Sequence, residues 1–238
     1  MSEPPGGLIP RARGLHPPAL SPDYRTTVLR SPRLAPISFS STPSEETGPV
    51  FGHDLIGETD ADLINNFGPG NAIGERIIVM GTLRDETGRP VPDALIEVWQ
   101  ANAGGRYRHA KDGYLAPLDP GFGGCGRCMT DAEGAFAFRT VRPGPYPWPN
   151  GVNDWRPAHI HFSVFGHAFG QRLVTQMYFE GDPHIPLCPI VRSIPDPAAI
   201  DRLTARLDMA ATIPMDARAW RFDITLRGRR ATPFEGRP

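Results

Sequence analysis

The stretch Trp220-Arg221-Phe222-Asp223-Ile224-Thr225-Leu226-Arg227 alternates apolar with polar or charged side chains at every step. Successive side chains of an extended chain point to opposite faces, so this is the pattern of a half-buried strand. The stretch Arg76-Ile77-Ile78-Val79-Met80-Gly81-Thr82-Leu83 is β-branched and strand-like, and the turn cluster Asp85-Glu86-Thr87-Gly88-Arg89-Pro90 follows it. Residues 94–100, 159–164 and 173–179 read as further strands, as does Ala135-Phe136-Ala137-Phe138 behind the turn Asp131-Ala132-Glu133-Gly134. One helix is predicted near the end: Asp196 is a good N-cap, Pro197 takes the first helical position, and Ile200, Leu203 and Leu207 share a face. Short strands separated by turns and long loops predict an all-β fold, a β-sandwich core with a short helix in the C-terminal region.

The chain has 238 residues, 28 of them proline, well over twice the usual frequency of about 5%. The prolines are spread between apolar segments and so mark ordered loops and arms. Residues 1–70 are rich in Pro, Ser and Gly and poor in apolar runs, which predicts an extended N-terminal arm that orders against another surface. Within it, residues 24–30 read as a short extended piece and residues 60–66 as a short helix capped by Asp60. Residues 71–238 form the main domain.

A formal net charge of -1, from 25 basic and 26 acidic residues, gives no basic patch for nucleic acid. No stretch approaches the roughly 18 apolar residues of a membrane span. The start of the chain has neither the charged nor the apolar part of a secretory signal, so the expected location is the cytoplasm. An odd count of three cysteines, Cys125, Cys128 and Cys188, argues against a disulfide framework. Cys125-Gly126-Arg127-Cys128 is a lone CxxC without the further ligands of a zinc site, and plain loop thiols are the preferred reading.

The chemistry concentrates in His159-Ile160-His161, close behind Pro145-Tyr146-Pro147-Trp148. In a strand, side chains two apart share a face, with Cα atoms about 6.6 Å apart, so two imidazoles can converge on one metal. By itself such a pair is more often two ordinary core or surface histidines. Tyr146, stiffened by a proline on each side, offers an oxygen ligand; taken alone it is more often an aromatic anchor. Tyr107 lies between Arg106 and Arg108, which favour a phenolate, although an exposed loop tyrosine is the plainer reading. Imidazole with phenolate suits a hard, oxidised metal such as iron(III) and suits structural zinc poorly.

Four stretches together carry a resemblance: Glu97-Val98-Trp99-Gln100-Ala101-Asn102-Ala103-Gly104-Gly105-Arg106-Tyr107, Gly144-Pro145-Tyr146-Pro147-Trp148, Trp155-Arg156-Pro157-Ala158-His159-Ile160-His161 and Gln176-Met177-Tyr178-Phe179-Glu180-Gly181-Asp182. They resemble the intradiol ring-cleaving dioxygenases, most closely the iron-bearing β subunit of two-subunit members, from about Tyr24 to near the C-terminus. The resemblance implies a non-haem Fe(III) held by Tyr107, Tyr146, His159 and His161. It puts Tyr107 and His159 in equatorial positions, Tyr146 and His161 in axial ones, and a hydroxide in the fifth. Two tyrosinates and a hydroxide balance the ferric charge, as a buried site requires. When a catechol binds as a dianion, neutrality holds only if the hydroxide and one tyrosinate leave, and the resemblance gives the second role to Tyr146.

The implied activity is O2-dependent cleavage of protocatechuate between its hydroxyl-bearing carbons to 3-carboxy-cis,cis-muconate, a step of the β-ketoadipate route of aromatic degradation. Iron would serve as Lewis acid and template. Arg156 is implied to stabilise negative charge developing on the substrate ring. Gln176 orients the catechol, Trp148 walls the pocket, and Tyr24, Trp99 and Ile190 line the substrate. The implied partner is a homologous α subunit without iron, in a higher αβ oligomer. The chain has few residues to hold the substrate carboxylate beyond Tyr24, so that partner is expected to supply a basic group. Cleavage of another catechol, a non-catalytic binding module and a zinc hydrolase built on the two histidines are the rival readings. The last two are colourless, whereas ferric tyrosinate is red-brown.

Overall fold

The computed structural model describes residues 17–31, 56–165, 172–226 and 230–233. Its strands are β1 (Arg76–Arg84), β2 (Leu95–Gln100), β3 (Cys125–Met129), β4 (Ala135–Val141), β5 (Tyr146–Trp148), β6 (Asp154–Arg156), β7 (His159–Phe165), β8 (Arg172–Phe179), β9 (Thr204–Ile213), β10 (Ala217–Arg221) and β11 (Ile224–Thr225). Among the described residues the short α-helices are α1 (Arg25–Arg30), α2 (Pro189–Arg192) and α3 (Pro197–Asp201), with a 3-10 turn at Ile185–Leu187 before α2. The expected all-β class holds.

Nine strands share one hydrogen-bonded sheet in the order β11-β1-β10-β9-β8-β7-β2-β3, with β4 also on β1. The sheet folds over itself because β9 serves both halves. It pairs in parallel with β8 through Thr204 and Ala205, then antiparallel with β10 from Arg206 to Ile213. The two halves face each other through aromatic rings. Phe162 on β7 meets Phe138 on β4 at 5.9 Å and Phe222 at 5.1 Å, and Phe179 on β8 meets Trp220 on β10 edge-on at 5.0 Å. The strand expected over residues 76–83 is β1, and its burial alternates, with Ile77, Val79 and Leu83 fully buried. Gly81 sits in the same row because the chain at Phe222 lies against it. A Cβ there would come within 1.9 Å of the Phe222 carbonyl oxygen.

Several local expectations are corrected. Residues 24–30 are not extended. Arg25–Arg30 is helical, because Thr27 Oγ1 donates to Ser21 O and Tyr24 O while Ser21 N donates back to it. Residues 60–66 form turns rather than a helix. Leu63 N donates to Arg139 O and Arg139 N to Ala61 O, so this segment docks beside β4, and Leu63 and Ile64 enter the core. Asp60 receives the Gly57 N–H and an ion pair from Arg127 instead of capping a helix. The predicted strand over residues 220–227 is broken at Phe222 and Asp223, where Asp223 Oδ1 accepts from Thr82 N in place of a ladder bond; Arg227 lies outside the described residues. The C-terminal helix starts as predicted, with Asp196 accepting from Ala198 N, but ends at Asp201. Thr204 then pairs with Tyr178, so Leu207 belongs to β9 and not to the helix. Cys125 and Cys128 lie on strand β3 and not in a loop. Most of the predicted arm lies outside the described residues. None of the described helices is long and apolar enough to cross a membrane.

Phe162→Ala should cost about 3–5 kcal/mol of stability, because the ring fills the space between the two halves. A denaturant midpoint shifted at unchanged slope measures it.

Candidate metal centre

β7 lies between β2 and β8 in antiparallel register. Its Ile160, Phe162 and Val164 point into the core and are fully buried, so His159 and His161 share the opposite face. On that face the register sets His161 between Trp99 and Gln176, and His159 beside Tyr178. The indole of Trp99 stacks on His161 with ring centres 4.8 Å apart and planes nearly parallel at 4°. The hairpin β5–β6 adds the next wall by pairing Tyr146 with Arg156.

Tyr107 arrives on the loop after β2. Asn102 folds this loop by accepting from Gly104 N and Arg106 N, and Asp112 Oδ2 accepts from Tyr107 N at 2.8 Å. Gly105 is required here. It has φ 82, and a Cβ on it would come within 2.3 Å of the Pro145 carbonyl oxygen. The close approach brings the Tyr107 and Tyr146 rings to 5.5 Å, edge to face. The Tyr107 hydroxyl lies 3.3 Å from His159 Nε2 and 3.1 Å from His161 Nε2, and the Tyr146 ring lies 5.6 Å from the His159 ring. All four side chains singled out in the sequence therefore face one another.

The protonation states suit a metal. His159 Nδ1 is 2.7 Å from the Pro157 carbonyl, so it carries the proton and leaves the Nε2 lone pair toward Tyr107. Burial, then Arg156 and His161, hold His159 well below the usual imidazole range, so it is neutral. Among the described residues no group of three His, Cys, Asp or Glu is placed to hold a metal, so a metal here needs the tyrosine oxygens. The CxxC pair is excluded by strand geometry. Cys125 and Cys128 point to opposite faces, one exposed and one buried, and burial pushes the Cys128 thiol up to about 12.

Beside the cluster, Arg156 is buried and donates through Nη2 to Gln176 Oε1, which also accepts from the Tyr178 hydroxyl at 2.9 Å. Two donors on one oxygen fix the amide, so Gln176 Nε2 points away from both. Among the described residues neither Gln176 Nε2 nor Arg156 Nε has a hydrogen-bond partner, although both are buried. An unpaired buried donor is unfavourable, and these two lie on residues directly beside the cluster. Burial opposes the charge on Arg156, but Tyr178, Cys188, Tyr146 and Tyr107 outweigh it and hold the guanidinium above its ordinary value.

A cavity of about 770 Å³ opens onto the cluster, with Trp99, Tyr107, Tyr146 and Trp148 in its wall. Of the other expected substrate residues, Gln176 is buried beside Arg156. Tyr24 and Ile190 belong to a second apolar cluster that packs against Trp148, with Tyr24 edge-on to it at 5.2 Å. Sequence reasoning missed Asp112 and Tyr178. Tyr178 follows Gln176 by two in a strand, a spacing that places it on the same face.

The sequence matches the profile described as "Dioxygenase" over residues 46–228. It also matches one described as "Protocatechuate 3,4-dioxygenase beta subunit N terminal" over residues 9–42. It is 51% identical to a protocatechuate 3,4-dioxygenase beta chain from Burkholderia cepacia, over 96% of this chain and 97% of that one. It is 31% identical to a protocatechuate 3,4-dioxygenase alpha chain from Pseudomonas putida, over 81% of this chain and 94% of that one. The crystal structure of 3-chlorocatechol 1,2-dioxygenase from Rhodococcus opacus 1CP aligns with a TM-score of 0.54 at 26% identity, covering 75% of this chain and 70% of that one. The chain belongs to the intradiol ring-cleaving dioxygenase family and is an enzyme of that class.

Gly105→Ala should destabilise the protein by roughly 1–3 kcal/mol, because the methyl would force the Tyr107 loop off the Tyr146 segment. The urea midpoint checks this, and an unmoved midpoint would show that the two segments can part freely.

Proposed function

We propose that this chain is the iron-bearing subunit of a protocatechuate-cleaving intradiol dioxygenase. It would open the ring between the two hydroxyl-bearing carbons with O2 and release 3-carboxy-cis,cis-muconate, a step of the β-ketoadipate route. The observation that carries this reading is the convergence of Tyr107, Tyr146, His159 and His161, with both histidine Nε2 atoms within 3.3 Å of one phenol oxygen. When bound by these four side chains, ferric iron would supply a Lewis acid for the catecholate and a template for its meeting with O2.

The chain's own groups do the rest. The phenolate oxygen of Tyr146 takes up one of the catechol protons, which keeps the buried charge balanced. Its segment, set by a proline on each side, holds it ready at little entropic cost. Arg156 is already buried and charged before substrate arrives, so it can stabilise negative charge growing on the ring without reorganising. Gln176 Nε2, which has no partner among the described residues, donates to a substrate oxygen. Trp99 and Trp148 wall the ring, with Tyr24 and Ile190 backing Trp148.

The partner is a homologous α subunit that carries no iron, in a higher αβ oligomer; the likeness to both a beta and an alpha chain supports this. Residues 1–70 form the arm that meets it and residues 71–238 the catalytic domain. Three free thiols support a reducing compartment, and we place the enzyme in the cytoplasm. Oxygen uptake and product analysis test the reading on protocatechuate, catechol and hydroxyquinol. Protocatechuate should be turned over fastest and give the 3-carboxy muconate, whereas a preference for either other substrate would reassign the specificity.

Tyr146→Phe should keep iron on the three remaining ligands yet turn over far more slowly, as single-turnover kinetics with stated iron content would record. Normal turnover in the iron-loaded variant would reduce Tyr146 to a loop anchor. Arg156→Ala should lose about 2.7–4 kcal/mol of transition-state stabilisation, roughly a hundred- to thousandfold in kcat, with iron content little changed. A kcat within a factor of about two of normal would contradict the electrostatic role.

A further inference from the structure

The peptide unit between Pro157 and Ala158 is held at both ends. Its carbonyl oxygen accepts from His159 Nδ1 at 2.7 Å, and its N–H donates to Asp182 Oδ2 at 2.9 Å. Asp182 is only 8% exposed. Its second oxygen, Oδ1, accepts from the backbone N–H of His184 at 2.9 Å and lies 2.9 Å from His184 Nδ1. The carboxylate reaches this place because the chain reverses straight after β8. Asp182 N donates to Phe179 O at 3.2 Å across a turn whose Gly181 has φ 79. The His184 ring in turn leans on Trp155 of the β5–β6 hairpin, with ring centres 6.2 Å apart.

A buried carboxylate is costly unless strong hydrogen bonds satisfy it, and here one oxygen is committed to a single peptide N–H. A charged acceptor at the N–H end of an amide polarises it and makes its carbonyl a stronger acceptor, since chained hydrogen bonds reinforce one another. A stronger pull on Nδ1–H leaves the imidazole more electron-rich at Nε2, the atom that faces Tyr107. In many metal sites a carboxylate contacts the ligating histidine directly. In this chain one peptide group stands between them and transmits the same effect.

We propose that Asp182 is a positioning residue of the metal centre, acting on His159 through the Pro157–Ala158 peptide to fix the ring's tautomer and tilt and to raise the donor strength of Nε2. The proposal rests on the reading that His159 holds iron. It is tested with Asp182→Asn in the full chain, purified with its partner subunit. The size is kept, but one amide cannot accept on both sides. Iron release to a chelator should quicken by about 10–100-fold, and the visible tyrosinate-to-iron band should move. A merely structural role would lower the unfolding midpoint and leave the band where it was, so an unmoved band overturns the proposal whatever happens to stability. If Asp182→Asn does not fold, His184→Ala decides, because it loosens the carboxylate yet keeps the Ala158 bond. A band shifted from the wild-type position supports the proposal, and an unmoved band overturns it. Wild-type protein without iron or colour would overturn the iron reading and this one together. Iron-loaded wild type with both variants unmoved would overturn this one alone.

Discussion

The site depends on the register that holds β7 between β2 and β8. Ile160, Phe162 and Val164 are driven into the core, and that burial forces His159 and His161 to the other face. The same register delivers Trp99, Gln176 and Tyr178 beside them. A slip of one residue would turn the histidines inward and expose three large apolar side chains. The apolar core thus specifies where the two imidazoles sit, and the proposed metal would meet donors that packing has already aligned.

Two further constraints complete the cluster. Gly105 and the Asn102 turn let one loop approach Pro145 closely enough for Tyr107 to meet Tyr146. Behind them, Arg156, Gln176 and Tyr178 form a buried polar chain whose hydrogen bonds fix the amide of Gln176 and leave its N–H2 unanswered among the described residues. Burial without a partner is unfavourable, and the proposed substrate would relieve it by accepting from the Gln176 amide.

Much of this was legible in the sequence because strands announce themselves by alternation. The strand carrying His159 and His161 and those at Arg76 and Ala135 follow from pattern alone. The four ligand-type residues followed from motif resemblance, and the fold draws them together. What stayed hidden was set by contacts distant in sequence. The turn over residues 60–66 resembled a helix until pairing with Arg139 overrode local propensity, and α1 forms through Thr27 side-chain bonds that no periodicity reveals. Strand β9 does not alternate cleanly because it passes from one half of the sheet to the other, so its apolar positions follow two different partners. Asp182 closes one of the stretches that carry the resemblance, but its grip on the Ala158 N–H, next to the carbonyl that holds His159, depends on a contact distant in sequence.

The most direct measurement of the central claim is a visible absorption spectrum joined to elemental analysis of the purified protein, before and after protocatechuate is added. If Tyr107, Tyr146, His159 and His161 hold ferric iron, the protein carries about one iron per chain of this type, shows a broad tyrosinate-to-iron band that gives a red-brown colour, and changes that band as the catechol binds. Stoichiometric zinc with no visible absorption, or an iron band indifferent to protocatechuate, would contradict that claim.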